Sequence, residues 1–427
     1  MKRIAIAYWP YFFSACLLLY AFQVNLDLSN VMPGDLRNRV VGARLIEEGV
    51  SPYLYKWKPG DSFRYYDTSN LNKYKASNIT ASPLFHQLLI PLGRMPYTEA
   101  SKLWFFLQQV ILVFAAAIAF FIARTKSNRS AVLVLTPLLM LTFTFQHHLL
   151  LGQIYIVNLL LLIAIAALLV KNLQAAAAVA TVALILLKPT TAIAFIPLLL
   201  IIWQLKRFFL VASVLGLAYL GYLLVTPFQF ELWKHYKLNI EQQVKIHQQA
   251  DADTFVAPTP PTVLRLEGWD IKEAYAANRK YGSSLSENGN LFVIYNKLTG
   301  TRLTTNQLAL LLASSIVILL GAFYFRHNNK SPSVIQCLLL GFVLYAVTDF
   351  ASPVYRHQYY GVQYFFPLLL VAATGSKTMN KTAIGLLGIG LSLNLLTVKI
   401  IPMQYTFGEI LILAGSLVEA FRKRGLQ

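Results

Sequence analysis

Long apolar stretches separated by short polar turns dominate the chain, and many approach the roughly 20 residues that cross a bilayer. They lie near residues 5–24, 103–123, 131–146, 154–170, 174–187, 190–204, 208–226, 305–325, 333–348, 358–374, 382–398 and 403–421. Several are shorter than 18 residues, so two neighbouring stretches could form one broken span. The pattern predicts an all-α polytopic membrane protein with about 12 transmembrane helices in a single domain, residues 1–427.

Two polar segments, residues 25–101 and 226–304, are too long to be turns. Long connections of this kind in compact proteins are usually functional. Residues 38–48 and 234–249 within them look amphipathic, which predicts helices lying at the membrane interface. We therefore expect two large loops carrying interfacial helices.

Composition agrees with a membrane protein, because only 13% of residues are charged and 56% are hydrophobic. A soluble domain carries about 25% charged residues. The net charge of +19 comes largely from Lys and Arg that cluster in every second short loop between apolar runs. Such an excess of positive charge is typical of cytoplasmic loops. This predicts cytoplasmic termini, two extracytoplasmic loops and the bilayer, not nucleic acid, as partner. The general style of the sequence favours a bacterial inner membrane as location.

The first loop combines one carboxylate with three arginines at helical spacing: Asp35 with Arg37, Arg39 and Arg44. A carboxylate can accept the proton of an attacking hydroxyl, and arginines can stabilise a departing phosphate. Alternatively, Asp35 only caps the helix that follows it, since Asp is a favoured N-cap residue.

Polar residues also occur at the start of the fourth apolar run and directly after the fifth. Gln153 and Asn158 lie in apolar surroundings, where they form either a polar pocket or an interhelical hydrogen bond. Lys188 lies between two apolar runs and is either functional or extends its charge to the membrane edge.

A last candidate lies near the tenth run. Arg356 and His357 could together bind a phosphate, although Asp349 could equally form a plain salt bridge with Arg356.

Metal ligation has weak support in the sequence. His147 and His148 have no third ligand at suitable spacing, and the Asp251–Asp253 triplet belongs to a pattern common in loops. Cys16 and Cys337 form neither a disulfide scaffold nor a zinc site. We expect neither metal nor cofactor.

Several short motifs occur in a specific order along residues 30–370. Asp35 follows helix one, Gly49 to Tyr53 reads Gly-x-x-Pro-Tyr, and Pro83 to Leu92 reads Pro-Leu-x-x-x-Leu-Leu-x-Pro-Leu. The other members are Trp104, Gly152-Gln153 with Asn158, Lys188-Pro189, and Ser352 to His357 as Ser-Pro-x-x-x-His. This order resembles glycosyltransferase family 87 of the membrane-embedded GT-C class, which includes polyprenyl-phosphate-mannose-dependent α-1,2-mannosyltransferases.

The resemblance implies a GT-C-type bundle that takes a hexose, with mannose favoured, from a polyprenyl-phosphate donor to a glycan or glycolipid acceptor. It implies that Asp35 is the general base, that the first-loop arginines with Lys188, Arg356 and His357 lie near the donor phosphate, and that Gln153 and Asn158 line the pocket. Asn288 begins a stretch similar to the family's Asn-Gln-Ser-Leu. The chain departs from the family at Ala81-Ser82-Pro83, where members often have Tyr-Pro-Pro.

Two other functions fit the same features. A transporter or flippase of lipid-linked sugars shares the many spans, but inverted repeats, which would favour it, are not evident between the two halves. A polymerase or ligase of lipid-linked glycans is the other alternative. Two large loops on one face favour an enzyme.

Overall fold

The structure is a computed structural model, and it describes residues 2–30, 33–55, 61–65, 79–247, 289–301, 303–327, 331–352, 356–375, 380–398, 400–401 and 403–423. Within these ranges the regular backbone consists of α-helices and 3₁₀-helices, with no β-strand. The all-α prediction is therefore confirmed for this part of the chain. Asn288 and the Asp251–Asp253 triplet lie outside it.

The helices of the first half follow the apolar pattern closely. They are α1 Lys2–Leu26, α2 Gly34–Glu47, α3 Pro83–Leu88, α4 Ile90–Gly93, α5 Tyr97–Ile122, α6 Lys126–Leu141, α7 Phe143–Leu151, α8 Tyr155–Val170 and α9 Gln174–Leu187. Short 3₁₀ turns occupy Asp27–Asn30 and Phe63–Tyr65, and a long 3₁₀ segment, Pro189–Gln204, follows α9.

The second half has the same character. Its helices are α10 Lys206–Val225, α11 Pro227–His247, α12 Leu291–Thr299, α13 Thr305–Arg326, α14 Val334–Ala351, α15 Phe365–Thr374, α16 Lys381–Leu395 and α17 Gln404–Ala420. A 3₁₀ segment, Gln358–Tyr364, leads into α15.

Polar caps mark where several of these helices begin. Thr304 and Ser333 each form a capping box with the glutamine three residues later, at the starts of α13 and α14. Such a box satisfies backbone N–H groups that the first helical turn leaves without partners. Thr142 ends α6 and caps α7, and the two helices bend by 56° at this point. The predicted span 131–146 is thus a broken element.

By length and composition, the described residues contain five helices able to cross a membrane, or six if the bent α6–α7 pair is one span. The five are Trp9–Asn30, Tyr97–Ile122, Lys206–Val225, Asn306–Arg326 and Val334–Ala351. Shorter apolar helices include α8, α9, Pro189–Gln204 and α16. A polytopic membrane protein is therefore supported, while the count of about 12 spans stays a prediction.

Helix α2 differs from the surface helix that the sequence predicts. Its residues Leu36 and 38–46 are buried, because α2 packs against α3, α4 and the Phe63–Tyr65 turn. Leu36, Val40 and Ala43 join Phe85 and Trp104 in one apolar cluster. Helix α2 is therefore surrounded by other segments of the protein. This packing holds the polar first turn of α2 at a defined position beside the main bundle.

Candidate active site

Asp35 lies in the first turn of α2 and is half-buried. Its Oδ2 accepts a hydrogen bond from Gln153 Nε2, and Gln153 Oε1 accepts one from Arg39 Nη2 at 2.7 Å. Arg39 also donates to the backbone oxygen of Asp35. The three residues thus form a closed network, in which the glutamine amide relays the arginine's orientation to the carboxylate.

The network leaves one carboxylate oxygen available. In the described part of the chain, Asp35 Oδ1 has no hydrogen-bond partner. The N-cap position of α2 belongs to Pro33 and carries no side-chain cap bond, so the capping alternative does not describe this carboxylate. A half-buried carboxylate with one occupied and one accessible oxygen can accept a proton from a substrate hydroxyl.

Gly152 determines where Gln153 lies. It ends α7 with φ of +64°, a left-handed conformation that glycine adopts at little cost. A Cβ atom there would lie 2.7 Å from the Leu36 Cβ and 2.9 Å from the Pro33 Cβ. Trp104 Nε1 donates to the Gly152 oxygen at 3.2 Å. The α7–α8 turn therefore contacts the start of α2 directly, which places Gln153 against Asp35.

His86 packs against α2 and contacts the backbone of Arg39. Its ring is fully buried, and its Nδ1 lies 3.1 Å from the Arg39 backbone oxygen. Gly42 makes room for this ring, because a Cβ there would lie 2.5 Å from two of its atoms. Burial lowers the pKa of His86 to about 4, so the imidazole is neutral at physiological pH and adds no charge beside Arg39.

The other two arginines of α2 differ in their surroundings. The Arg37 guanidinium lies over the Tyr97 ring, 4.6 Å from its centre, and Tyr97 donates to the Pro33 oxygen. Arg44 donates to the backbone oxygens of Gly93, Arg64 and Met95 at 2.7–2.8 Å. Burial lowers the Arg44 pKa. Arg44 therefore joins α2 to the chain around α4, whereas Arg37 is half-buried against Tyr97 in the first turn of α2.

Lys188, just beyond α9, is surrounded by aromatic rings. Its Nζ lies 4.4 Å from the ring centre of Tyr155, 5.1 Å from that of Tyr345 and 5.4 Å from that of Tyr360. Nζ donates one hydrogen bond, 3.3 Å long, to Gln363 Oε1. An ammonium has three donors, so further donors are available for an anionic ligand in this cage.

Arg356 is a fully enclosed cation. Its guanidinium donates to Asp349 Oδ2 at 3.0 Å, to Glu409 Oε2 at 2.5 Å and to the Tyr364 hydroxyl at 3.2 Å. The predicted Asp349 pair is therefore present, and Glu409 adds a second carboxylate. Two carboxylates more than offset the single positive charge of the guanidinium, so among the two cations Lys188 is the more available to a phosphate.

The Asp35 network and the lysine cage adjoin each other. Tyr155 follows Gln153 by two residues, and its ring centre lies 4.5 Å from that of Tyr360. Arg39 interacts electrostatically with Tyr360. A substrate that contacts both Asp35 and Lys188 would thus lie along Tyr155.

The remaining predicted residues lie around these two groups. His357 stacks on Tyr359 with ring centres 4.8 Å apart. Asn158 is buried in α8, and its Nδ2 has no partner within the described residues. His148 Nε2 accepts from the Ile156 backbone N–H at 3.3 Å. In the described ranges no group of three potential ligands could hold a metal ion.

Sequence reasoning missed Glu409 and the tyrosine cage. Glu409 is an acidic residue in an apolar run, and such residues are functional candidates by default, so the signal was present in the sequence. The tyrosines 155, 345 and 360 carry no such signal, because aromatic residues are common at helix ends in membranes.

A comparison with protein-family models gives a match to part of the chain. Residues 80–260 match the model of Glycosyltransferase family 87. This segment contains Gln153, Asn158 and Lys188, whereas Asp35 and Arg356 lie outside it. No curated protein matches the chain, and no solved structure does. The match confirms, over residues 80–260, the resemblance read from the motifs, and it supports a membrane glycosyltransferase.

Proposed function

We propose that the protein transfers a hexose, with mannose favoured, from a polyprenyl-phosphate donor to a hydroxyl of a glycan or glycolipid acceptor on the extracytoplasmic face. The single observation that carries this proposal is the Asp35 carboxylate, oriented by Gln153 and Arg39 and adjoining the half-buried Lys188. A base and a cation side by side suit transfer away from an anionic leaving group.

The reaction is a direct displacement. The acceptor hydroxyl gives its proton to Asp35 Oδ1 while its oxygen forms a bond to the anomeric carbon. The bond between that carbon and the phosphate oxygen breaks, and its electron pair leaves with the polyprenyl phosphate. Lys188 stabilises the charge that develops on this oxygen, as fixed cations do in preorganised sites.

The first-loop arginines and the Arg356 cluster have supporting roles in this scheme. Arg39 keeps Gln153 in the orientation that donates to Asp35. Arg37, in the first turn of α2, contacts the donor phosphate or the acceptor, and His357 adds a second donor near the phosphate. Arg356, held by two carboxylates, shapes the wall behind Lys188.

The test compares wild-type protein with Asp35→Asn in nanodiscs, using radiolabelled polyprenyl-phosphate mannose and extracted membrane lipids as acceptors, with and without EDTA. Asparagine keeps an oxygen that can accept from Gln153 but loses basicity. Because general-base catalysis contributes about 10²–10⁴-fold, we expect label transfer to fall at least a hundredfold while donor binding persists. We expect transfer by the wild type to survive EDTA.

Glu47→Gln is the matched control, because Glu47 lies on the same helix and forms its ion pairs with Arg94 and Arg64 at the far end. It should retain wild-type transfer. An Asp35→Asn protein that keeps more than about a tenth of the activity would exclude Asp35 as base. Donor binding without transfer by the wild type would point to another sugar or acceptor, and absence of binding would favour a transporter.

A further inference from the structure

An apolar cavity of about 320 Å³ lies among α1, α5 and α6, and the proposed transfer chemistry assigns it no role. Its wall includes Leu18 of α1, Val113 and Phe120 of α5, and Pro137 of α6. Phe121, also in the wall, is 74% exposed. The cavity therefore opens on the outer surface of the bundle, where membrane lipid can enter it.

One end of this cavity contains an unpaired hydroxyl. Ser14 lines the cavity and is only 5% exposed, and its Oγ has no hydrogen-bond partner among the described residues. Helices α1 and α6 pack against each other and run parallel, since Asn25 Nδ2 near the end of α1 donates to the Met140 oxygen near the end of α6 at 3.3 Å. Ser14 lies eleven residues before Asn25. Arg129 lies eleven residues before Met140, so Arg129 and Ser14 are at about the same height in the bundle.

The same end of the cavity carries positive charge. Arg129 is exposed, and its guanidinium carbon lies 5.5 Å from the centre of the Phe120 ring. Arg124, in the turn before α6, and Lys126, at the start of α6, are also exposed. No carboxylate within the described ranges forms an ion pair with any of these three cations. Cytoplasmic ends of spans are generally rich in Lys and Arg, but here the cations adjoin a cavity and a buried, unpaired hydroxyl.

The dimensions of the cavity indicate that a single acyl chain occupies it. An apolar cavity of about 150 Å³ binds a molecule as large as benzene, so about twice that volume suits roughly a dozen carbon atoms. A transmembrane helix of a partner protein, about 10 Å across, would need several times this space. Deeper in the cavity, the Thr136 hydroxyl donates to the Val132 backbone oxygen at 2.7 Å within its own helix, so this part of the wall remains apolar.

We propose that this cavity binds an anionic glycerophospholipid of the membrane, distinct from the lipid-linked donor. The phosphate lies against Arg129, with Arg124 and Lys126 beside it, because cations near the membrane surface attract anionic headgroups. An ester carbonyl of the lipid accepts the hydrogen bond that Ser14 Oγ can donate, and one acyl chain fills the cavity. By contacting all three helices, the bound lipid stabilises the packing of α1 against α5 and α6.

This position is too far from Asp35 for the bound lipid to be the donor. Phe120 follows Tyr97 by 23 residues along α5, which is roughly 35 Å at 1.5 Å per residue. Tyr97 bonds to the Pro33 oxygen beside Asp35. A phosphate at Arg129 therefore lies at the opposite end of the bundle from the proposed base, and the inference does not depend on the proposed function.

The experiment is native mass spectrometry of the full-length protein in detergent, titrated with dioleoyl phosphatidylglycerol or with dioleoyl phosphatidylcholine, which has the same acyl chains but no net charge. We expect a single phosphatidylglycerol to bind at least about tenfold more tightly than phosphatidylcholine, because several cations favour a net negative headgroup. Arg129→Gln, which removes a charge-assisted hydrogen bond, should weaken this binding about tenfold. Ala117→Phe, which fills the cavity, should weaken it at least as much, because the acyl chain is displaced.

Arg207→Gln and Ala218→Phe are the matched controls. Both residues are exposed and lie on α10, which packs against α9, α11 and the Pro189–Gln204 segment. Neither control should change the affinity for phosphatidylglycerol.

Equal affinities for the two lipids, or equal effects of the variants and their controls, would overturn the inference. A phosphatidylglycerol with a photoreactive acyl chain tests the unmodified protein, so it decides the matter if Ala117→Phe does not fold. Labelled peptides from α1, α5 and α6 are expected, and label confined to other helices would overturn the inference. A lipid-free dimer that Ala117→Phe abolishes would also overturn it, because the cavity would then receive a second copy of the chain.

Discussion

Replacing Gly152 with alanine tests whether the turn between α7 and α8 sets the position of Gln153 against Asp35. The substitution has two physical effects. Alanine in the left-handed conformation, at φ of +64°, costs about 1–2 kcal/mol. The added Cβ also meets the Leu36 Cβ at 2.7 Å.

The size of the displacement follows from these distances. Carbon atoms in ordinary contact are about 3.5–4.0 Å apart, so the turn and the start of α2 must separate by roughly 1 Å. Gln153 and Asp35 are the immediate neighbours of the two clashing residues. A hydrogen bond stretched by that amount is effectively lost, and a 1 Å misplacement of a catalytic group can cost about 10²-fold in rate.

The assay is label transfer in nanodiscs together with thermal unfolding, and Gly49→Ala is the control. Gly49 also has positive φ, +74°, but nothing lies within 4 Å of its Cβ position. Gly49→Ala should lose about 1–2 kcal/mol of stability, and Gly152→Ala should lose that and about 1–3 kcal/mol more from the clash. Only Gly152→Ala should lose about a hundredfold in transfer. Equal transfer rates in the two variants would refute the argument that this contact positions Gln153.

Three further predictions concern the stability of the fold. In the folded protein the pKa of His86 is lowered to about 4, whereas an unfolded histidine titrates near 6.5. The unfolded state therefore binds a proton first as the pH drops from 6.5 towards 4, and the free energy of unfolding should fall by up to about 3 kcal/mol. A His86→Gln protein whose melting temperature declines as steeply with pH would contradict this. Arg356→Leu leaves the buried Glu409 and the half-buried Asp349 without their guanidinium partner and should cost about 3–5 kcal/mol, with Arg356→Lys less harmful. Denaturant or thermal unfolding in detergent measures the difference. Gly341→Ala places a Cβ 1.8 Å from the Ala194 oxygen and should cost about 1–3 kcal/mol, whereas Gly321→Ala, with open space around it, should melt like wild type.

The apolar runs predicted where most helices occur, but not which helices would be buried by other parts of the protein. The apolar runs correspond to described helices because backbone groups in a bilayer must be satisfied within each segment. The burial of α2 was not predictable, because its residues include three arginines and an asparagine that read as a solvated face. Its enclosure depends on partners such as Gly93 and Met95, which accept from Arg44 and lie about fifty residues away.

The residues of the candidate site were predicted from the sequence, but the hydrogen bonds between them were not. Asp35, Arg39 and Gln153 were each singled out from the sequence, yet their mutual hydrogen bonds depend on the bend at Thr142 and the close contact at Gly152. Local patterns carry no information about such long-range contacts. The roles of these residues in substrate binding and catalysis stay predictions that the proposed experiments test.

The charges around Lys188 have a consequence for how a ligand arrives. Lys188 and Arg356 bring two positive charges, and Asp349 and Glu409 bring two negative ones, so the group sums to zero. A balanced cluster projects little field beyond its immediate surroundings, so this cluster itself adds little to electrostatic steering from bulk solution. An anionic lipid would then encounter this protein by two-dimensional diffusion within the membrane, and its capture rate would depend on its surface density rather than on the ionic strength outside.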